Sequence, residues 1–217
     1  LMGLAPYGAP IYKDLILEHL LDLKEDGSFE MNLEYFNYCQ GLTMTNHRFA
    51  KLFDGAARNT EDKITEREIN LAASIQAVTE EIVIRMANFA REETGKKNLC
   101  LSGGVALNCV ANGKLLAKKI FENIWIQPAS GDAGGALGAA LFTNYQLFNR
   151  EREVNSNDSM KGSYLGPRYK DDQISDFLKD VGGISQIYNN EDELLEEVCS
   201  AIKNEKIIGW FNGRMEF

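Results

Sequence analysis

The sequence predicts an α/β fold in two parts, one over residues 1–150 and the start of a second over 163–217. Three observations carry this. A strand–turn–helix pattern occurs twice in succession between residues 98 and 148, which is the grammar of an α/β layer. A long amphipathic helix precedes it. Residues 150–162 (REREVNSNDSMKG) are polar and lack periodicity, so 151–162 reads as a linker.

In chain order, Pro10 is a favoured first helical residue, and Leu15, Ile16, His19, Leu20 and Leu23 give an apolar stripe, so residues 10–23 read as a helix. Glu25-Asp26-Gly27-Ser28 is a turn, and Phe29 begins a short strand. Residues 44–53 read as a short helix. From Thr65 to Thr94 the apolar positions Ile75, Val78, Ile82, Met86 and Phe89 recur at three- and four-residue steps. Thr65 and Glu68 form a capping-box pair at its start, and Gly95 ends it. Strands at 98–101 and 124–126 then alternate with helices at 106–119 and 133–148. Beyond the linker, helices near 171–180 and 192–203 alternate with strands near 184–188 and 207–211.

Composition narrows the function classes. The 217 residues are 44% hydrophobic and 25% charged, ordinary for a globular chain, and the net charge is −9. That acidity argues against a nucleic-acid partner, because phosphate backbones require a basic face. No apolar run approaches the roughly 18–20 residues of a membrane span, and no signal peptide is evident. Cys39, Cys100, Cys109 and Cys199 form no CxxC pair, and Cys100 and Cys109 sit in apolar stretches. They read as buried thiols of a reducing, cytoplasmic compartment. Both chain ends read as cut from a longer sequence, so ligands supplied by flanking segments are expected to be missing.

Three segments carry candidate chemistry. Ser102-Gly103-Gly104-Val105-Ala106-Leu107-Asn108 lies where a strand meets a helix. Its paired glycines admit close approach of a ligand, and the helix start presents free N–H groups suited to a phosphate. Asn108 can offer an amide to a base or ribose, although a plain strand-to-helix turn also accounts for the segment. Ser130-Gly131-Asp132-Ala133-Gly134-Gly135 opens the next helix in the same way. Asp132 is either a helix cap or a hard oxygen ligand for a cation beside a phosphate. Two such turns converge on one crevice at the strand ends, which suits a nucleotide. In Asn212-Gly213-Arg214-Met215-Glu216, Arg214 either grips a phosphate or pairs with Glu216 on the surface. His19 and His47 lie far from both glycine segments, and no Ser-His-Asp or Cys-His arrangement is evident.

On LMGLAPYG, LSGGVALNCVANGKL, IQPASGDAGGALGAAL, YLGP and GWFNGRMEF, in that order, the chain resembles the O-carbamoyltransferases of nodulation-factor, cephalosporin and tobramycin type. The resemblance implies the C-terminal part of an actin-like (ASKHA, threonylcarbamoyl-transferase-like) domain over 1–150. It also implies the start of a carbamoyl-adenylate-synthase-like domain over 163–217. Family members join carbamoyl phosphate and ATP into carbamoyl adenylate and pass the carbamoyl group to a hydroxyl-bearing small-molecule acceptor, using a divalent metal, typically iron. In that scheme Gly103, Gly104, Asn108, Gly131 and Gly134 bind nucleotide. Asp132 is the metal ligand and catalytic residue, and Arg214 lines the carbamoyl-phosphate pocket. The family's two metal-binding histidines come from an N-terminal segment that His19 and His47 do not match, so this chain alone is expected to be inactive. The alternatives are another ASKHA-type enzyme, such as a sugar kinase, or a non-catalytic nucleotide-sensing module.

Overall fold

A computed structural model describes residues 1–155 and 157–215, and the chain divides into two units, Leu1–Asn149 and Arg150–Phe217. The first unit is built along one helix, α3 (Glu66–Thr94), preceded by α1 (Lys13–His19), β1 (Leu21–Leu23), β2 (Phe29–Met31) and α2 (His47–Leu52). After it come β3 (Asn98–Leu101), α4 (Cys109–Ala117), β4 (Asn123–Ile126) and α5 (Gly134–Phe142). At 29 residues α3 is about 44 Å long at 1.5 Å per residue, long enough to serve two cores. Its first half packs on Ile16, Leu20 and Phe53 through Val78. Its second half packs on Leu115 and Phe121 through Ala87.

Local signals set the ends of α3. The Thr65 N–H donates to Glu68 Oε2 at 2.8 Å, and the Thr65 hydroxyl donates to the same oxygen at 2.5 Å. Arg67 braces that carboxylate from Nε at 2.9 Å. At the other end Gly95 takes φ 62°, the left-handed cap that glycine favours. The buried face differs from the expected stripe. Met86 and Phe89 are exposed, whereas Asn70, Ser74, Gln76 and Glu80 are buried. Two of these polar groups hold the chain's start. Asn70 Oδ1 accepts from the Ala9 N–H at 2.8 Å, and Ser74 Oγ accepts from the Tyr12 N–H at 3.0 Å. Gly8 is needed there because a Cβ would fall 2.5 Å from the Ile69 carbonyl oxygen. Lys13 pairs with Glu81 at 2.6 Å and holds that carboxyl below its usual range, with Arg85 adding to the effect.

The expected helix over 10–23 is shorter. It stops at His19, and Leu21–Leu23 instead pairs antiparallel with Phe29–Met31, Leu21 opposite Met31. The Asp26-Gly27 turn closes this hairpin, with Gly27 at φ 85° and the Ser28 N–H on Asp26 Oδ1 at 2.9 Å. Three closely spaced leucines satisfy a helical stripe and a half-buried strand equally, so the turn decides between them.

β3 and β4 pair in parallel, Asn98 opposite Asn123 and Leu101 opposite Ile126, with α4 between them in sequence. Leu99, Leu101 and Ile124 face the second core, while Cys100 and Trp125 point the other way and are exposed. The buried-thiol expectation is therefore corrected: all four cysteines are exposed. The helix expected over 106–119 is a 3-10 turn, Gly104–Leu107, followed by α4, and that over 133–148 is α5 continued by a π turn, Thr143–Leu147.

In the second unit α6 (Asp171–Asp180) and α7 (Glu191–Lys203) form where expected. The strands expected near 184–188 and 207–211 do not. These segments have no ladder partner among the described residues, and Ile184 and Ile207 are fully exposed. Among the described residues of this unit, an antiparallel bridge joins Arg168 to Arg214. The described chain is thus a mixed α/β structure with small sheets, and no described helix is long and apolar enough to cross a membrane.

The α3 cap is pH-dependent. The Thr65 bonds, reinforced by Arg67, bring the Glu68 carboxyl down from 4.5 to about 2. A lowered folded pKa stabilises the cap fully above about pH 4.5, and that contribution is lost as pH falls toward 2. The hydrogen-exchange protection factors at the first turn of α3, which are referenced to the intrinsic rate at each pH, should fall over that window in wild type. In Glu68→Gln, which keeps the cap geometry without a titrating group, that fall should be absent.

Candidate functional site

Because β3 and β4 are parallel, both end at one edge, and each runs into a glycine-rich turn. The Gln127 N–H donates to the Leu101 carbonyl at 3.1 Å, carrying the ladder one residue past the strands. The Gly103 N–H then donates to the Ser130 carbonyl at 2.9 Å, so the two turns meet. Gly103 has φ 100° and ψ 158°, a conformation that side-chain-bearing residues rarely adopt. Among the described residues nothing beyond the adjacent residues lies within 4 Å of where a Cβ would stand on Gly103 or Gly104, so this backbone is open to an approaching group. Gly131 is nearly as free, with only Leu107 Cδ1 at 4.0 Å. The Ser130 hydroxyl is buried and lacks a partner among the described residues, which costs about 1–3 kcal/mol unless another polar atom reaches it.

Gly134 serves a different end. A Cβ there would sit 1.9 Å from the Ala129 carbonyl oxygen, so glycine permits α5 to start against the turn. Asp132 lies on the surface of that turn, and its carbonyl accepts from the Gly135 N–H at 3.0 Å. Its possible role as helix cap is not the one adopted. The N-cap position is Ala133, and the Asp132 carboxylate makes no hydrogen bond or ion pair among the described residues.

Asn108 ends the 3-10 turn and caps α4, its Oδ1 accepting from the Ala111 N–H at 3.1 Å. It also forms a reciprocal amide pair with Gln76 of α3. Asn108 Nδ2 donates to Gln76 Oε1 at 2.9 Å, and Gln76 Nε2 donates to Asn108 Oδ1 at 3.1 Å. Gln76 Nε2 donates again to Glu80 Oε1 at 3.0 Å, and the other Glu80 oxygen pairs with Lys114 of α4. The sequence reading missed Gln76, Glu80 and Lys114. The available signal was a pair of polar residues, four apart, in the packing face of a long helix.

Beside the first turn, Leu99, Leu101, Val105, Met86 and Ala87 line an apolar hollow of about 280 Å³ that has Ser102 and Asn112 as polar members. Among the described residues no three His, Cys, Asp or Glu side chains gather where they could hold a metal. His19 lines a hollow at the β1–β2 hairpin and His47 one beside α2. Asp132 offers one carboxylate, and one ligand does not make a metal centre, so the described residues do not fit the expected metal by themselves.

Arg214 belongs to the second unit and follows an irregular segment rather than the expected strand. Its Nη1 donates to the Gly166 carbonyl at 2.9 Å. With Arg168 and Lys170 it lines a hollow of about 690 Å³. Glu216, the alternative partner, lies outside the described residues.

Gly134→Ala should destabilise the first unit by about 1–3 kcal/mol through overpacking. Gly138→Ala, with open space at its Cβ position, should stabilise it by up to about 1 kcal/mol. Urea denaturation of the two variants beside wild type measures the contrast, and equal shifts would refute the close approach at Ala129.

Comparison with known proteins matches residues 1–141 to the family described as Carbamoyltransferase N-terminus. The whole chain aligns with the Synechocystis sp. protein sll1178 at 55% identity, covering 35% of that protein. It aligns over its full length with Nodulation protein NolO of Bradyrhizobium diazoefficiens at 32% identity, and with Nodulation protein NolNO of Sinorhizobium fredii at 35%. It covers 37% and 30% of those two proteins, so the chain spans about a third of the length of these relatives. With a match over 141 of its 217 residues, the chain belongs to the carbamoyltransferase N-terminus family.

Proposed function

We propose that this chain is the nucleotide-facing part of an O-carbamoyltransferase, with an actin-like first domain. In the reaction, carbamoyl phosphate, ATP and one water give carbamoyl adenylate, phosphate and pyrophosphate. The carbamoyl group then passes to a hydroxyl of a small-molecule acceptor, and AMP leaves. The observation that carries this reading is the meeting of two glycine turns at the ends of the parallel strands β3 and β4. Open backbone at Gly103 and Gly104 is what a phosphate or ribose requires for close approach. The apolar hollow beside the turn suits a flat base.

Gly103, Gly104, Gly131 and Asn108 bind the nucleotide, and Gly134 shapes the second turn. Arg214, opposite Arg168 across a β-bridge, binds the phosphate of carbamoyl phosphate, because like charges directly paired across strands repel until an anion lies between them. Asp132 is assigned to the transfer step because its carboxylate is exposed and uncommitted at the site; the divalent metal, expected to be iron, needs ligands beyond those described.

The test uses the protein at its full natural length, supplied with ATP, carbamoyl phosphate, iron and a panel of hydroxyl acceptors. Asp132→Asn should lower carbamoyl transfer by about 100-fold or more, with pyrophosphate release within about twofold of wild type. If wild type leaves carbamoyl phosphate unchanged under every condition, the carbamoyltransferase reading fails.

A further inference from the structure

Gln76 and Glu80 are almost fully buried on α3, at 5% and 7% exposure, and their hydrogen bonds are directional. The Ala111 N–H at 3.1 Å requires an oxygen from Asn108 and so fixes which way that amide faces. The Glu80 carboxylate, a pure acceptor when ionised, requires the nitrogen of Gln76 on its side at 3.0 Å and so fixes the second amide. The two amides then match donor to acceptor at both contacts between them, at 2.9 and 3.1 Å. Turning either amide over would set N–H against N–H at Ala111, or oxygen against carboxylate at Glu80. Lys114 pairs with the far oxygen of Glu80. A single polarity therefore runs from Lys114 through Glu80 and Gln76 to Asn108.

An Asn side chain has two N–H donors and one acceptor oxygen. In Asn108 the oxygen already takes two bonds and one N–H is given to Gln76. One N–H remains without a partner among the described residues, on the residue that closes the Gly103–Gly104 turn. We propose that Gln76 is a positioning residue for the ligand of this turn. It holds Asn108 so that only a donor is presented, and the ligand atom received there is an acceptor, a ribose oxygen or a ring nitrogen with a free lone pair. This rests on the nucleotide reading above and adds the residue that sets the sense of the contact.

The test is a double-mutant cycle on ATP affinity in the protein at its full natural length, read by titration calorimetry, with circular dichroism melts alongside. Gln76→Met keeps length and packing while removing the amide, and Asn108→Ser keeps a helix cap while removing the amide N–H and the reach of the longer side chain. Each single variant should weaken ATP binding about tenfold, a loss of about 1.4 kcal/mol. The double variant should also lie near tenfold, because Gln76 acts only through Asn108. Losses that multiply to about 100-fold would show that Gln76 acts independently, and unchanged affinity in Gln76→Met would likewise overturn the positioning role. A Gln76→Met protein that does not fold is replaced by Gln76→Glu, which keeps the shape and sets a carboxylate against Asn108 Oδ1 and Glu80. The same tenfold loss, again silent in the Asn108→Ser background, is expected. Wild type that binds no ATP would instead refute the nucleotide reading itself.

Discussion

The first unit depends on a constraint inside α3: a helix that buries Asn70, Ser74, Gln76 and Glu80 must provide a partner for each. A buried amide or carboxylate left unpaired costs several times what a paired one contributes, so the partners are positioned as firmly as the helix. Asn70 and Ser74 bind the backbone at Ala9 and Tyr12 and hold the segment that leads into α1. Gln76 and Glu80 bind Asn108 and Lys114 and tie the N-cap and the middle of α4 to α3. Apolar contacts at Val78 and Ala87 bring these elements together without specifying register. The polar contacts supply the register, and through Asn108 they extend it to the glycine turn.

The second feature is how much surface the chain exposes. Part of that surface is apolar. α5 buries no residue, and Leu137, Leu141, Phe142 and Trp125 are exposed around the parallel pair. Parallel sheets are normally covered on both faces, whereas here only the face of Leu99, Leu101 and Ile124 is covered. That exposure agrees with a chain spanning about a third of its relatives.

What the sequence made legible follows from range. The start and end of α3 were legible because Thr65, Glu68 and Gly95 act within a few residues of the ends they set. β3 and the two glycine turns were legible for the same reason. The β1–β2 hairpin was not, since Leu20, Leu21 and Leu23 fit either period and only pairing with residues 29–31 decides. Strands near 184–188 and 207–211 were expected from local composition, but a strand exists only through a neighbour, and the described chain supplies none. Exposure of Cys100 was hidden for a related reason: an apolar run does not say how many of its faces are covered. At the site, the glycines and Asp132 stood out as motifs, while Gln76 gained its meaning from a partner 32 residues away.

The glycines at the site divide by what compels them, and that division bears on what the site is for. Gly134 has a steric reason internal to the chain, the Ala129 carbonyl, and Gly103 has a backbone reason, its positive φ. Gly104, Gly135 and Gly138 have neither, since among the described residues nothing beyond their chain neighbours and own helix backbone lies within 4 Å of their Cβ positions and none has a positive φ. Within a helix each such glycine costs about 1 kcal/mol relative to alanine, and α5 carries two of them with nothing of the described chain packed against either. On the proposed reading, the space at Gly104, beside an open turn and an N–H of Asn108, would admit a small polar ligand. At Gly135 and Gly138 the exposed side chains of the same helix are Leu137, Leu141 and Phe142, so the space there is bordered by apolar surface. The same residue type thus leaves space in two different settings, and the side chains around each glycine, rather than the glycine itself, distinguish them.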